Sequence, residues 1–336
     1  MNLDQLAKTA KEMVADDKGL LAADESTGTI GKRLDSVGVE NTDDNRRDYR
    51  DLLFRAEGLG RCISGAILYD ETLRQSAADG ASLVSLLQGQ GIIPGIKVDA
   101  GAKPLPGSPG ENITEGLDGL PARVEEYVGL GARFAKWRAV ITIGDHLPSR
   151  HCVHVNAHAL ARYAKICQEA GLTPIVEPEV MMDGDHDIDR CDRVTTLVLN
   201  TVFDELYAQD VALEGMILKP NMVISGSGCK TQAGVDEVAG RTVECMKRCV
   251  PAAVPGIMFL SGGQSEADAT AHLNAMNAKE GAAPWKLSYS YGRALQQSCL
   301  KAWKGEAGNV KAAQEVLLER ARGNSAACAG TFDKAA

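Results

Sequence analysis

The chain has 336 residues, of which 44% are hydrophobic and 24% are charged, and its formal net charge at pH 7 is −9. This acidic balance argues against nucleic acid or an anionic membrane as the main partner, although a local cluster of cations can still bind an anionic small molecule. The composition is that of a globular protein with a large apolar core, and the length suits either two average domains or one α/β barrel.

Neither the N-terminus nor the cysteines indicate export from the cytoplasm. The first residues, MNLDQLAKTAKEM, predict an amphipathic helix without the apolar core of a signal peptide, and no apolar run approaches the roughly 18 residues of a membrane span. The nine cysteines are scattered without C-x-x-C spacing, which is typical of buried thiols in a reducing compartment. We therefore expect a cytoplasmic protein.

Short apolar runs alternate along the chain with amphipathic segments. In chain order, the eight runs are residues 19–24, 62–70, 92–99, 133–140, 172–180, 214–223, 256–263 and 286–292. The segments between them carry helix signals, such as Ser265 as an N-cap with Asp268 three residues later, and apolar residues at three- and four-residue steps in 187–206. Eight repeats of strand and helix predict a closed (β/α)8 barrel that forms one domain over residues 1–336.

An open, doubly wound α/β sheet is the main alternative for such an alternating pattern. That fold normally carries a glycine-rich phosphate turn after its first strand, and the first run and its continuation, GLLAADESTGTIG, lack that turn. No linker composition divides the chain, and we expect a flexible tail, rich in glycine and alanine, only over residues 323–336. The barrel is therefore the favoured architecture.

Charged residues recur in the C-terminal part of the predicted strands, where an apolar residue is more usual. They are Asp24, Lys97, Asp99, Lys136, Arg138, Glu177, Glu179 and Lys219. Side chains two apart on a strand point the same way, so Lys136 and Arg138 share one face of the fourth run. Any one such charge would indicate a solvated strand end or a structural ion pair. Five strands that repeat the placement predict a reaction centre at the barrel mouth, where this fold carries its catalytic groups.

Lys219 follows a buried apolar run directly, and its position indicates a reactive amine. A lysine that is desolvated and close to another cation has a lowered pKa, since both effects disfavour the charged form, and a neutral amine can form a Schiff base with a ketone. Lys136 would supply the neighbouring cation. The carboxylates of Glu177 and Glu179 could carry protons through carbinolamine and imine. Asp24 could then accept the proton of the hydroxyl across the breaking C–C bond.

Two further groups of residues predict anion sites in the same mouth. The turn at 261–263 follows the seventh run, and Arg293 opens a helix after the eighth; loops in these positions usually bind phosphate in this fold. A second group of cations could hold another phosphate, and consists of Lys32, Arg33, Lys97 and Arg138. Two anion sites on either side of a Schiff-base lysine imply a bisphosphorylated sugar.

The motifs at these positions resemble, in order and spacing, those of the class I fructose-bisphosphate aldolases over about residues 3–325. They are LAADESTGTIGKRL, GIKVD, GARFAKWR, PIVEPE, ILKPNMV, FLSGGQSE and YGRALQ. The resemblance implies a (β/α)8 enzyme of glycolysis and gluconeogenesis that reversibly cleaves fructose 1,6-bisphosphate to dihydroxyacetone phosphate and glyceraldehyde 3-phosphate. It implies no metal or other cofactor, and a homo-oligomer that is commonly a tetramer.

The same resemblance implies a role for each site residue. Lys219 is similar to the Schiff-base lysine, and Asp24 to the residue that handles the C4 hydroxyl proton. Glu177 is similar to the principal proton-transfer group, which Lys136 and Glu179 assist. One phosphate site would comprise Ser261, Gly262, Gly263, Ser290, Gly292 and Arg293. The other would comprise Ser26, Thr29, Arg33, Lys97 and Arg138.

Two features depart from the family pattern. The family often has lysine where this chain has Ala100. Many eukaryotic members end in a tyrosine that assists a proton transfer on the dihydroxyacetone phosphate side, whereas the last tyrosine here is Tyr291. The resulting hypothesis is that enamine protonation is slower in this protein or uses another acid.

Three alternative functions are weighed against the aldolase. A metal-dependent lyase would need histidines that converge from several strand ends, whereas His151, His154 and His158 have the spacing of one helix face and are better explained as a surface or packing stripe. A non-catalytic barrel scaffold would have no need of a desolvated amine. A Schiff-base aldolase for another sugar phosphate stays open, although the paired phosphate sites argue against a monophosphate.

Overall fold

Eight parallel strands close into a barrel in the structure, a computed structural model that describes residues 2–279 and 283–333. They are β1 (Gly19–Ala23), β2 (Ile63–Leu68), β3 (Ile93–Lys97), β6 (Phe134–Ile141), β7 (Thr173–Val180), β8 (Ile217–Leu218), β9 (Gly256–Phe259) and β10 (Lys286–Tyr291), while β4 (Ala102–Pro104) and β5 (Asn112–Thr114) form a separate antiparallel pair. The barrel strands follow one another in chain order, and β10 pairs with β1 to close the barrel. The predicted (β/α)8 barrel is therefore confirmed.

Helices surround the barrel and occupy the segments between its strands. They are α1 (Leu3–Met13), α2 (Thr27–Asp35), α3 (Asp43–Phe54), α4 (Asp70–Arg74), α5 (Leu83–Gly89), α6 (Leu120–Gly129), α7 (Arg150–Glu169), α8 (Ile188–Ala208), α9 (Val235–Cys249), α10 (Glu266–Lys279), α11 (Arg293–Trp303) and α12 (Val310–Cys328). Ser265 Oγ accepts the backbone N–H of Asp268 at 3.0 Å, as predicted for the start of α10. Within the described ranges, no helix has both the length and the apolar character needed to cross a membrane.

The barrel interior is an apolar floor beneath a charged mouth. The floor consists of Leu20, Ala22, Ile67, Ile93, Phe134, Ile175, Ile217 and Met258, closed at the N-terminal end of the barrel by Ala10, Met13 and Val14 in and after α1. Inward-facing positions recur every second residue on a strand, so Phe134 is followed by Lys136, and Ile217 by Lys219. The two-residue repeat of the strands therefore puts the apolar floor residues and the charged residues above them on the same inward face.

The sixth strand is shorter than its apolar run suggests. The run 214–223 contains only the two strand residues of β8, because Pro220 has no N–H to donate to a neighbouring strand. The backbone N–H of Lys219 still donates to the carbonyl of Val176 on β7 at 2.9 Å. The backbone of the reactive-lysine candidate is thus hydrogen-bonded to the neighbouring strand just after β8 ends.

The last helix is longer than the sequence predicted. A flexible tail was expected from residue 323, but α12 continues to Cys328, with Asn324 and Ala327 buried. Asn324 Oδ1 accepts a hydrogen bond from Thr270 on α10 at 2.6 Å, which ties this end of the chain to the barrel helices. Residues 334–336 of the predicted tail lie outside the described residues.

Gly95 on β3 offers a test of the packed barrel floor. A Cβ atom at this position would lie 2.2 Å from the ring of Phe134, so Gly95→Ala should lower the free energy of unfolding by about 1–3 kcal/mol through overpacking. Gly89→Ala in α5 is the matched control, because a Cβ there meets nothing within 4 Å and should be neutral or stabilising. Urea unfolding measures both, and equal midpoints for the two variants would contradict the packing described.

Candidate active site

A cavity of about 490 Å³ opens at the C-terminal end of the barrel. Of the sixteen site residues that the resemblance implies, fifteen line the cavity, and Lys32 of the predicted second cation group lines it too; the fifteen are Asp24, Ser26, Thr29, Arg33, Lys97, Lys136, Arg138, Glu177, Glu179, Lys219, Ser261, Gly262, Ser290, Gly292 and Arg293. Gly263, the remaining one, is the next residue of the 261–263 turn. The structure thus brings together, from both ends of the chain, the groups that the sequence placed at separate strand ends.

Two lysines share one buried carboxylate at the centre of the cavity. Lys219 Nζ lies 3.2 Å from Glu177 Oε1, and Lys136 Nζ lies 3.2 Å from Glu177 Oε2. Lys136 Nζ also lies 2.7 Å from Asp24 Oδ2. Lys136, Glu177 and Lys219 are each less than 5% exposed. The four side chains form a continuous ion-paired row from β1 to β8, with Glu177 between the two ammonium groups.

Burial and ion pairing act in opposite directions on the pKa values of this row. Burial would raise the pKa of Glu177, but Lys136 and Lys219 lower it by more, so the pKa of Glu177 lies below its usual value. Burial would likewise raise the pKa of Asp24, but the same two lysines lower it by more, so the pKa of Asp24 also lies below its usual value. Burial would lower the pKa of Lys136, but Asp24 and Glu177 raise it. At neutral pH both carboxylates are therefore ionised and Lys136 is charged.

The alternation of side chains along β6 works as the sequence predicted. Lys136 and Arg138 face the cavity, whereas Trp137 is fully buried on the other side of the strand. The Trp137 ring stacks on Tyr163 of α7 with a centroid distance of 5.6 Å. The indole therefore packs the barrel against its helix layer and does not contact the cavity.

Two further cations of the cavity hold carboxylates of their own. Arg138 Nε donates to Glu179 Oε2, and Lys97 Nζ lies 2.7 Å from Asp99 Oδ1. Asp99 Oδ2 also accepts the backbone N–H of Arg138 at 3.2 Å. Burial would lower the pKa of Arg138, and Glu179 raises it above its usual value. These pairs orient the long side chains before any ligand binds.

The turn after β9 and the start of α11 lie together at the cavity wall, where the sequence predicts one of the two phosphate sites. Gly263 has a φ of +73°, and a Cβ on it would lie 1.8 Å from Cγ of Met182, so only glycine fits where the turn packs on Met182. Ser290 Oγ is buried without a hydrogen-bond partner among the described residues. Gly292 is the N-cap of α11 and Arg293 its first residue. A buried hydroxyl without a partner, an arginine and a helix N-terminus together suit a phosphate group.

A second group of polar residues lies at the start of α2. Ser26 is the N-cap of this helix, and its Oγ lies 3.1 Å from Thr29 Oγ1. Both residues line the cavity with Lys97. Arg33, which the sequence grouped with them, also approaches the predicted phosphate site at α11, since its Nη2 lies 3.8 Å from the position of a Cβ on Gly292. Arg33 is therefore situated between the two predicted phosphate sites.

The cavity is positive although the chain as a whole is acidic. Its lining contains seven cationic and four carboxylate side chains, which leaves a formal charge of +3. The whole chain carries −9. A concave, partly desolvated site of this sign concentrates small anions by electrostatic attraction.

The three histidines with helical spacing lie on α7, outside this cavity. Side chains of His154 and His158 are 64% and 49% exposed, and both contact Glu205 on α8, at 3.3 and 3.0 Å. Among residues 2–279 and 283–333, no cluster of three or more His, Cys, Asp or Glu side chains has the arrangement of a metal site. The lysine–carboxylate row is thus the chemical centre that the described residues offer.

A family model described as fructose-bisphosphate aldolase class-I matches residues 5–336. The chain belongs to this family. A relative from Xanthomonas campestris pv. campestris, named probable fructose-bisphosphate aldolase class 1, is 59% identical over 333 residues, which cover 99% of both chains. Fructose-bisphosphate aldolase 1 of Toxoplasma gondii is 56% identical over 330 residues, covering 98% of this chain and 91% of that one.

A solved structure of a family member has the same fold. It is the fructose-bisphosphate aldolase of Plasmodium falciparum, in complex with TRAP and a small-molecule inhibitor, with a TM-score of 0.97, 51% identity, and coverage of 98% of this chain and 96% of that one. The resemblance identified from the sequence motifs is therefore confirmed over the whole chain.

Three residues of this aldolase-family cavity were missed by the sequence reasoning. They are Ala22, Glu25 and Leu260. Glu25 follows Asp24 directly, and strict alternation would turn its side chain away from the cavity. Because β1 ends at Ala23, alternation no longer applies at Glu25. The available signal was a charge next to Asp24 in the motif LAADESTGTIGKRL.

Asp24→Asn tests the electrostatics of the lysine–carboxylate row. The variant leaves the buried Lys136 with one carboxylate fewer, so the free energy of unfolding at pH 7 should fall by on the order of 3 kcal/mol. Because the folded-state pKa of Asp24 is lowered, its contribution is present above the unfolded-state pKa of about 3.9 and is lost as pH falls toward the folded-state value. The difference between wild type and variant should therefore shrink below about pH 4.

Asp16→Asn is the matched control for this measurement. Asp16 also pairs with a lysine, Lys286, at 2.6 Å, but both side chains are exposed. Its removal should leave the urea unfolding midpoint nearly unchanged at neutral pH, since exposed ion pairs contribute little. An Asp24→Asn effect as small as that of Asp16→Asn, or one that stays constant into acid, would contradict the stabilising role of the Asp24–Lys136 pair.

Proposed function

We propose that the protein catalyses reversible aldol cleavage of fructose 1,6-bisphosphate to dihydroxyacetone phosphate and glyceraldehyde 3-phosphate through an imine on Lys219. The observation that carries this proposal is the contact between the buried amine of Lys219 and the Glu177 carboxylate, at 3.2 Å, in a cavity lined by the residues of both predicted phosphate sites. Membership of the class I fructose-bisphosphate aldolase family supports the same reaction.

The first step joins Lys219 to the substrate ketone. Glu177 is ionised at neutral pH and its Oε1 lies 3.2 Å from Lys219 Nζ, so it is placed to accept a proton from the Lys219 ammonium. The neutral amine then attacks C2, and a C–N bond forms as the carbonyl oxygen becomes a hydroxyl. Glu177 returns its proton to this hydroxyl, which leaves as water and gives the protonated imine.

The second step breaks the bond between C3 and C4. The protonated imine withdraws the electron pair of this bond, and the C4 hydroxyl proton passes to Asp24 as the aldehyde forms. Lys136 contacts both Asp24 and Glu177, so it stabilises the negative charge on whichever carboxylate is ionised. Glyceraldehyde 3-phosphate leaves first. Protonation of the remaining enamine and hydrolysis of its imine release dihydroxyacetone phosphate and restore Lys219.

The two anion-binding regions set the length and charge of the substrate. A sugar bisphosphate carries about −3 to −4 at pH 7, against the +3 of the cavity lining. The α11 region would hold one phosphate through Ser261, Gly262, Gly263, Ser290, Gly292 and Arg293. The α2 region would hold the other through Ser26, Thr29, Lys97 and Arg138, and Arg33, which lies between the two regions, would donate to the phosphate at α11 as well. Glu179 would orient Arg138. The homo-oligomeric state and the cytoplasmic location stay predictions.

Borohydride trapping tests the imine on Lys219. Reduction in the presence of dihydroxyacetone phosphate should attach the three-carbon phosphate to Lys219, identified by peptide mass mapping, because reduction converts the imine to a stable secondary amine. Lys219→Arg should lose both label and cleavage activity, whereas Lys286→Arg, at an exposed lysine, should keep both. A label on another lysine, or none, would refute the mechanism. Full activity after EDTA treatment would exclude the metal-dependent alternative.

Arg293→Met tests the α11 phosphate site. Loss of a charge-assisted contact to phosphate should raise KM for fructose 1,6-bisphosphate by about 10- to 100-fold, with a smaller effect on kcat. Lys301→Met removes a cation from the last turn of the same helix, outside the cavity, and should leave KM unchanged. If the two variants have the same KM, the N-terminus of α11 is not a phosphate site.

A further inference from the structure

Glu25 is a buried carboxylate at the cavity wall that the proposed reaction does not use. Its side chain is placed just after β1, next to Asp24, and the residue is 6% exposed. One oxygen, Oε1, accepts from Nη1 of Arg33, and the other, Oε2, accepts from Nη2 of Arg50 at 3.1 Å. Arg50 is itself 1% exposed. Glu25 thus joins a cavity arginine to an arginine of the protein interior.

The Glu25 carboxylate also connects β1 with α11. Gln296, on the first turns of α11, donates from Nε2 to the carbonyl of Ala22 at 2.7 Å and to Glu25 Oε1 at 3.2 Å. Tyr49 of α3 donates to Gln296 Oε1 at 3.2 Å. Both Gln296 and Tyr49 are buried. The carboxylate is therefore held in one place by three donors on three different helices.

The hydrogen bond from Arg33 Nη1 to Glu25 leaves Arg33 Nη2 directed at the predicted phosphate site at α11. Glu25 takes Nη1, while Nη2 lies 3.8 Å from the position of a Cβ on Gly292, the N-cap of α11. A guanidinium donates in a fixed plane, so fixing one nitrogen also fixes the direction in which the other donates. Without this contact, Arg33 would have to lose side-chain freedom when the ligand binds.

The pairing of Glu25 with Arg50 decides whether Glu25 repels a phosphate group in the cavity. A lone carboxylate beside the cavity would repel a phosphate group. Arg50, on the far oxygen of Glu25, supplies one compensating positive charge, so this pair is neutral and Arg33 keeps its attraction for an anion. The neutral Glu25–Arg50 pair therefore fixes the orientation of the Arg33 guanidinium without adding net charge to the cavity.

We propose that Glu25, held by Arg50 and Gln296, is a positioning residue that directs Arg33 at the substrate phosphate bound at the N-terminus of α11. The identity of the substrate rests on the proposed function, but the effect on phosphate binding does not. The opposite role, in which Glu25 competes with phosphate for Arg33, predicts tighter phosphate binding once Glu25 is neutralised. The two roles therefore differ in the sign of a measurable change.

The test uses the double variant Glu25→Gln/Arg50→Met, which removes the hold on Arg33 without changing the net charge of the network. Calorimetric titration of the full chain with inorganic phosphate should show at least about tenfold weaker binding than wild type. KM for fructose 1,6-bisphosphate should rise by a larger factor than kcat falls. The matched control is Glu71→Gln/Arg46→Met, which removes a similar carboxylate–arginine pair outside the cavity and should leave phosphate binding unchanged.

An Arg33→Met background separates positioning from general damage. If Glu25 acts through Arg33, the double variant should cause no further loss of phosphate affinity when Arg33 is already absent. The same loss in both backgrounds would overturn the proposal, and so would unchanged or tighter phosphate binding in the double variant. If that variant does not fold, Gln296→Met replaces it. This variant should bind inorganic phosphate about two- to fivefold more weakly than wild type, and an unchanged affinity would overturn the proposal.

The outcome is independent of the borohydride experiment. Weakened phosphate binding without a label on Lys219 would support the positioning role and refute the imine mechanism. A label on Lys219 with unchanged phosphate binding would support the imine mechanism and refute the positioning role.

Discussion

The sharing of one buried carboxylate by two buried ammonium groups is the constraint on which the rest of this structure depends. Glu177 contacts Lys136 and Lys219 from its two oxygens, and Asp24 completes the row. Such charges are costly to desolvate and are tolerated only when their partners are held at the right distance. Neighbouring parallel strands supply that distance, because β6, β7 and β8 present successive inward positions at adjacent points of the barrel wall.

The apolar floor of the barrel and its charged mouth depend on each other. Phe134, Ile175 and Ile217 fill the interior below the row, α1 closes the bottom, and the lysines and carboxylates face the cavity at the C-terminal end. Apolar residues in place of such a row would often be equally stable or more stable. The proposed imine chemistry gives such a row a function, and the surrounding core provides the stability that permits it.

Under the proposed function, phosphate recognition would rely on backbone shape as much as on charge. Gly263 packs its turn onto Met182 and has no room for a side chain, and a Cβ on Gly292, which starts α11 at the edge of the cavity, would lie 3.3 Å from the carbonyl oxygen of Ala22. The cavity lining carries a formal charge of +3, and the carboxylates of Glu179 and Glu25 form ion pairs with Arg138 and Arg33. Preorganised side chains lose less freedom when a ligand binds.

The sequence by itself determined the barrel, the direction of the charged side chains and the family, because strand period and motif order are local properties. Only the tertiary structure decided which charges pair, that Glu25 joins the cavity, and that α12 continues through Asn324 to Cys328. Lys219 was identified from its place on a strand, but its contact with Glu177 depends on the register of two strands some forty residues apart. Such pairings follow from how distant elements pack, and no local pattern records them.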